Sequence, residues 1–148
     1  MSYTTYGKKN TALKIFLLFV AGGLGYYLLE VLFRGHSHWT MGLCGGICLV
    51  GMYYINKKLA HFSLAVRALM CTALITAVEF TAGCAVNLWL GWNVWSYKSL
   101  PLNFMGQISL LFCCYWFLLS FVVCFLISFI ERKIVKKSKK KELSETTP

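Results

Sequence analysis

Four stretches of this 148-residue chain are apolar for long enough to cross a lipid bilayer, and this limits the fold more than any other feature. A helix rises about 1.5 Å per residue, so about 20 mostly apolar residues span a hydrocarbon layer roughly 30 Å thick. The stretches run from about Ile15 to Phe33, Trp39 to Ile55, Leu64 to Leu88 and Phe104 to Ile130. Inside lipid every backbone N–H and C=O must be satisfied within the protein, which leaves helices for segments of this length. Charged residues make up 14% of the chain, against about 25% in soluble domains. The expected fold is all-α: a polytopic membrane protein built as a four-transmembrane-helix bundle.

The basic residues orient the bundle. Lys8, Lys9 and Lys14 precede the first span, Lys57, Lys58 and Arg67 surround the second connection, and seven more lie between Arg132 and Lys141. Only Arg34 and Lys98 fall on the opposite side, thirteen against two. Positive charge is retained in the cytoplasm, so both termini are expected there. The chain then divides into a cytoplasmic N-terminal segment (1–14), the four-helix domain (15–130) and a basic cytoplasmic tail (131–148), expected to be disordered. Small residues at 20–22 could suggest a cleaved signal peptide, but the apolar run continues past them and the span is read as retained. Trp39, Trp89, Trp92, Trp95 and Tyr97 map to the two outer connections, where amphipathic rings settle at headgroup level. The segment from Gly91 to Pro101 reads as an interfacial loop or short surface helix, with the fourth helix starting behind Pro101.

Several features call for nothing beyond packing. The seven cysteines all lie in the spans, and an odd number there is no disulfide framework. Cys44 and Cys48 share a helix face, a spacing that suits a soft metal but equally suits close packing. Small-residue pairs (Gly42 with Gly46, Ala21 with Gly25, Ala73 with Ala77) let helices approach. The basic tail suits a topology anchor or an anionic-lipid contact; without interleaved aromatics it is a poor nucleic-acid surface. No phosphate-gripping G-x-x-x-x-G-K-[ST] loop is present, so coupling to ATP would need a partner subunit. No nucleophile–base arrangement stands out, so no enzyme activity and no cofactor are expected.

Polar residues inside the spans carry the functional content. An ionised carboxylate near a helix centre costs around 3 kcal/mol on insertion scales, so Glu30 and Glu79 each need a partner, water or a proton. Glu30 stands four residues before Arg34, the spacing of an intrahelical ion pair. Thr72, Thr76, Glu79, Gly83 and Asn87 form one helical stripe that should face the bundle interior. At the same depth lie His36 and His38, an H-x-H pair weakly suggestive of a metal, and Asn93, Asn103 and Gln107. Asn103 and Gln107, four apart, are expected to stack at the start of the fourth helix.

The run from Glu30 to Gly46, with Phe33-Arg34-Gly35-His36-Ser37-His38-Trp39, resembles a family of small bacterial membrane proteins described as ABC-transporter type IV, or CmpB-like. So do Glu79-Phe80-Thr81-Ala82-Gly83 with Asn87, Val94-Trp95-Ser96-Tyr97, and Pro101-Leu102-Asn103-Phe104-Met105-Gly106-Gln107. The resemblance covers residues 15 to 130 and departs at Ser96, where the family usually carries an acid. It implies a permease-like protein of the bacterial cell membrane, working as a homo-oligomer or with a separate ATPase subunit.

The resulting expectation is a polar pocket in the outer half of the bundle that binds a small solute or ion. Glu30, Arg34, Glu79, Asn87, Asn103 and Gln107 would line it, with Trp95 and Tyr97 over its mouth. Two other readings fit the composition: a non-transporting accessory or structural membrane protein, and a holin-like pore former.

Overall fold

The computed structural model describes residues 3–146, with side chains described for residues 11–133 and 136. Helix α1 runs Tyr3–Arg34, α2 Trp39–Lys58 and α3 Leu64–Gly83. Six further residues, Cys84–Trp89, continue α3 as a π-helix. Two-residue strands β1 (Asn103–Phe104) and β2 (Ile108–Ser109) pair antiparallel, and α4 runs Leu110–Thr146.

Three of these helices are long and apolar enough to cross a membrane: Thr11–Arg34, Leu64–Trp89 and Leu110–Lys133. The second helix, 20 residues long, falls below that mark. Four glycines, Trp39, Tyr53 and Tyr54 dilute its apolar residues. The same glycines explain its position. A Cβ added at Gly45 would lie 2.7 Å from the Gly22 carbonyl oxygen, and one at Gly23 2.7 Å from that of Gly42. The α1 and α2 backbones therefore touch along a seam with no room for a methyl group, where dispersion replaces the hydrophobic drive that lipid does not offer. Gly22 and Gly23 form the α1 side of this seam. The expected Ala21–Gly25 pair does not, and Gly25 has nothing within 4 Å of its missing Cβ.

The α1–α2 turn is made by Gly35, whose φ of 75° ends α1, and by His38, whose ring nitrogen accepts from the Thr40 amide and caps α2. Ser63 caps α3 in the same manner, accepting from the Val66 amide. A buried apolar cluster of Met52, Cys71, Ile75 and Cys124 ties α2, α3 and α4 together in the half of the bundle nearer the α2–α3 connection, the inner half of the expected topology. Met41, Val86 and Trp95 form a second cluster in the half nearer the α1–α2 connection, the outer half of that topology.

Several boundaries differ from expectation. The fourth helix begins at Leu110, not Phe104, because residues 103–109 fold as a hairpin. Met105 and Gly106 at its tip have φ of 53° and 69°, left-handed geometry that a helix start cannot contain. Helix α1 is continuous from Tyr3, through the segment expected to precede the first span, and α4 extends through residues 131–146, expected to be disordered. Lysine and glutamate, which dominate that stretch, are good helix formers. Residues 1–2 and 147–148 lie outside the described residues. The segment 91–101 is a loop, not a surface helix, with Trp95 buried and Tyr97 half-buried.

Candidate functional site

Glu79 is the deepest ionisable group of the outer half, 6% exposed, on α3. Its Oε1 accepts from the Tyr97 hydroxyl at 2.7 Å and its Oε2 from the indole Nε1 of Trp116 at 2.8 Å. The two donors come from different elements, one from the outer segment and one from α4. Indole N–H can only donate, so this arrangement suits an ionised carboxylate. Tyr97 is itself fixed by stacking on Phe112, with ring centroids 4.4 Å apart, and by its amide donating to the Gly106 carbonyl at 2.8 Å. Burial, and after it the Glu79 carboxylate, push the Tyr97 hydroxyl above its ordinary value, so it remains a donor at neutral pH.

Glu30 and Arg34 form a separate unit. Arg34 Nη1 donates to Glu30 Oε1 at 2.6 Å, and the Ser37 hydroxyl donates to Oε2 at 2.5 Å. Arg34 Nη2 donates to the Val94 carbonyl at 3.1 Å. This pair therefore latches the first outer connection to the second. It is the only ion pair among the described residues, which leaves Glu79 without a cationic side chain within 4 Å.

Asn87 and Gln107 make a third unit. Asn87 Nδ2 donates to Gln107 Oε1 at 2.9 Å, while Asn87 Oδ1 accepts from the Val94 amide at 2.7 Å. Gln107 Nε2 donates to the Met105 carbonyl, and Trp95 Nε1 donates to the Gln107 carbonyl, both at 3.1 Å. Gly83 makes this possible: a Cβ there would lie 2.6 Å from Gln107 Oε1 and 3.0 Å from the Trp95 ring. The amides bind one another and the loop backbone, which pins the outer segment onto α3.

Asn103 does not stack with Gln107. Its side chain donates to the Leu100 carbonyl at 2.7 Å and accepts from the Gly106 amide at 3.0 Å, shaping the hairpin turn. His36 is exposed. His38 contacts Thr40 and sits among the Trp39 and Trp92 rings at 5.6 and 5.5 Å. Among the described residues no three His, Cys, Asp or Glu side chains gather as a metal site.

Beside Glu79 lies a cavity of about 200 Å³. All four helices contribute to its wall: Tyr26 from α1, Cys44 and Cys48 from α2, Glu79 from α3, and Trp116 from α4, together with Trp95 from the outer segment. The wall is mostly apolar, which differs from the polar pocket expected. Of the eight residues named for that pocket it includes Glu79 and Trp95; the other polar groups are engaged in fastening the outer segment. Trp116 and Tyr26 escaped sequence reasoning because an aromatic within an apolar span looks like any core residue. The only available signal was the need of a buried carboxylate for donors.

The sequence model of a family described as Putative ABC-transporter type IV matches residues 16–146. The match extends through the basic helix at the C-terminal end of α4, beyond residues 15–130 that carry the resemblance. No curated protein and no solved structure gives a significant match.

Proposed function

The chain belongs to this family of ABC-transporter type, and from that premise we propose that it is a permease-like membrane component whose central cavity, beside Glu79, binds a small solute or ion. In this reading α2 is a fourth crossing helix. Its 20 residues rise about 30 Å, matching the hydrocarbon thickness. It is also held by short connections between α1 and α3, which themselves are long and apolar enough to cross. Four crossings return the chain to its starting side, and the thirteen-to-two split of basic residues makes that side cytoplasmic. The membrane is the bacterial cell membrane. An ATPase subunit or a second copy completes the transporter, since the chain has no nucleotide-gripping loop and few helices for a pathway of its own. The protein is a carrier component, not an enzyme.

The observation that carries the reading is the cavity itself: about 200 Å³ where all four helices meet, with a buried carboxylate in its wall. Intramembrane carboxylates mark solute or proton paths by default. A non-transporting protein that used Glu79 only to fix helix register would need the hydrogen bonds but not the charge.

Substitution of Glu79 separates the two. Glu79→Gln retains shape and, with its oxygen toward Trp116 and its N–H toward the Tyr97 oxygen, hydrogen bonding, but removes the charge; Glu79→Leu removes both charge and hydrogen bonding. With a solute role, the Gln protein has near wild-type thermal stability yet fails to restore the phenotype of a deletion strain, while Leu loses both stability and function. A stable and fully active Gln variant overturns the charge-dependent reading in favour of the structural one.

A further inference from the structure

We propose that the cavity takes a small lipophilic organic cation, a monovalent aromatic or quaternary ammonium ion, with Glu79 as its counter-charge. The inference rests on the cavity reading above and names the chemistry of its occupant. Glu30 and Glu79 are both buried, but only one is neutralised. Glu30 has Arg34 at 2.6 Å, whereas Glu79 has two neutral donors and no cation within ion-pair distance among the described residues. A buried carboxylate with both oxygens accepting and no counter-ion favours a positive charge in the space beside it.

The remaining walls decide what kind of cation. Hard metal ions require several oxygen ligands, and the cavity offers one carboxylate amid Met41, Cys44, Cys48 and aromatic rings. A metal would lose its hydration shell there and gain too little. An organic cation is weakly hydrated and brings its own apolar surface. Tyr26, Trp95 and Trp116 all border the space, and aromatic walls attract ammonium ions through the ring quadrupole. Size agrees as well. An apolar cavity of about 150 Å³ holds benzene, so about 200 Å³ holds one ring with a small ammonium group.

The test compares two ligands of nearly identical shape, phenyltrimethylammonium and tert-butylbenzene, which differ by one positive charge. Each is titrated into the purified full-length protein in non-ionic detergent, followed by tryptophan fluorescence and corrected for partition into empty micelles. The cation is expected to bind at least about tenfold more tightly than its neutral counterpart. In Glu79→Gln that preference should vanish while tert-butylbenzene still binds. Gly25→Val, at a cavity-lining position where an added Cβ meets nothing within 4 Å, should weaken both ligands. If wild-type protein binds the neutral compound as well as the cation, the cation inference is overturned and the cavity reading stands. If neither ligand binds, the cavity reading itself is overturned. A preference that survives Glu79→Gln removes Glu79 from the site. The wild-type comparison and Gly25→Val decide the matter even if the Gln protein does not accumulate.

Discussion

Trp116 Nε1 donates to Glu79 Oε2 at 2.8 Å, joining residues 37 apart in sequence and two helices in the outer half of the bundle. With Tyr97 on the other oxygen, this single carboxylate fastens α4, α3 and the outer segment to one another. The carboxylate proposed above to bind the solute is thus also a structural joint between α3, α4 and the outer segment.

Removing one donor tests that joint. Trp116→Phe keeps an aromatic side chain, though a smaller one, and deletes the N–H, leaving Oε2 without its partner. A hydrogen bond to a charged group contributes about 1.5–3 kcal/mol, so stability should fall by roughly that amount. Tyr97→Phe should do the same from the other side. The two losses should not add, because both variants act on one carboxylate. Detergent unfolding curves of the single and double variants check this; full additivity would mean that the two bonds are independent.

Tyr97 also predicts a response to alkali. Its hydroxyl is held above the ordinary value of 10.0 by burial and then by Glu79. Between the unfolded and folded values the unfolded chain loses this proton and the folded protein retains it, so unfolding is favoured as pH rises. The hydroxyl's contribution is intact below pH about 10 and declines above it. Thermal stability measured against pH should therefore fall more steeply above that point in wild type than in Tyr97→Phe. Parallel curves would show that Tyr97 is not held in this environment.

Helix–helix contact through glycine separates positions that look alike in sequence. A Cβ at Gly22 would lie 2.6 Å from the Gly45 carbonyl oxygen, and backbone cannot move aside cheaply. Gly22→Ala should therefore cost about 1–3 kcal/mol and loosen the α1–α2 hairpin. Gly25→Ala, three residues further on, meets nothing within 4 Å and should leave stability unchanged. Melting temperatures of the two proteins, purified in one detergent, make the comparison.

The apolar blocks, the tight first hairpin and the Glu30–Arg34 pair were all legible in the sequence, since each depends on a local period or spacing. The outer segment was not. Counting helically from Pro101 placed Asn103 and Gln107 on one face, whereas positive φ at Leu102, Met105 and Gly106 turns the chain back as a hairpin. Leu102 and Met105 carry no sequence mark for such geometry, which is normally the province of glycine and asparagine. The polar stripe on α3 was legible in direction, with Thr72, Glu79, Gly83 and Asn87 all buried. Its partners were not legible, because Trp116 and Tyr97 reach Glu79 only through the tertiary fold.

Topology follows from charge and can be read residue by residue. Single cysteines placed near Lys57 and beyond Lys136 in a cysteine-free background should react with membrane-impermeant reagents only from the cytoplasmic side, and one at Lys98 only from outside. Reaction of the Lys98 position from the cytoplasm would overturn the proposed orientation. Equal labelling of single cysteines at His36 and Lys57, near the two ends of α2, from one side would instead show that α2 does not cross.

The inner end of the bundle carries a polar cluster that sequence spacing did not indicate. Arg67 Nη1 donates to Asn56 Oδ1 at 2.7 Å and to Ser128 Oγ at 2.9 Å, and Asn56 Nδ2 donates to Ser128 Oγ at 3.2 Å. Ser128 in turn donates to the Cys124 carbonyl at 2.8 Å. Three helices meet here through neutral acceptors around one cation, and Arg67 Nε is buried without a partner. The cluster is thus short of acceptors, and losing one should cost more than losing the donor. Ser128→Ala should cost about 0.6–1.7 kcal/mol, the range found for hydrogen bonds between membrane helices. Asn56→Leu should cost about 2–3 kcal/mol, because it strips the guanidinium of an acceptor at a site where Asn56 is 1% exposed. Arg67→Met removes the cation together with its unmet N–H and should cost less than Asn56→Leu. Combined with Asn56→Leu it should recover part of the loss, since no charge is then left unpaired. Unfolding free energies of the two single variants and the double variant test the order. A double variant as unstable as the sum of the singles would show that Arg67 and Asn56 contribute separately.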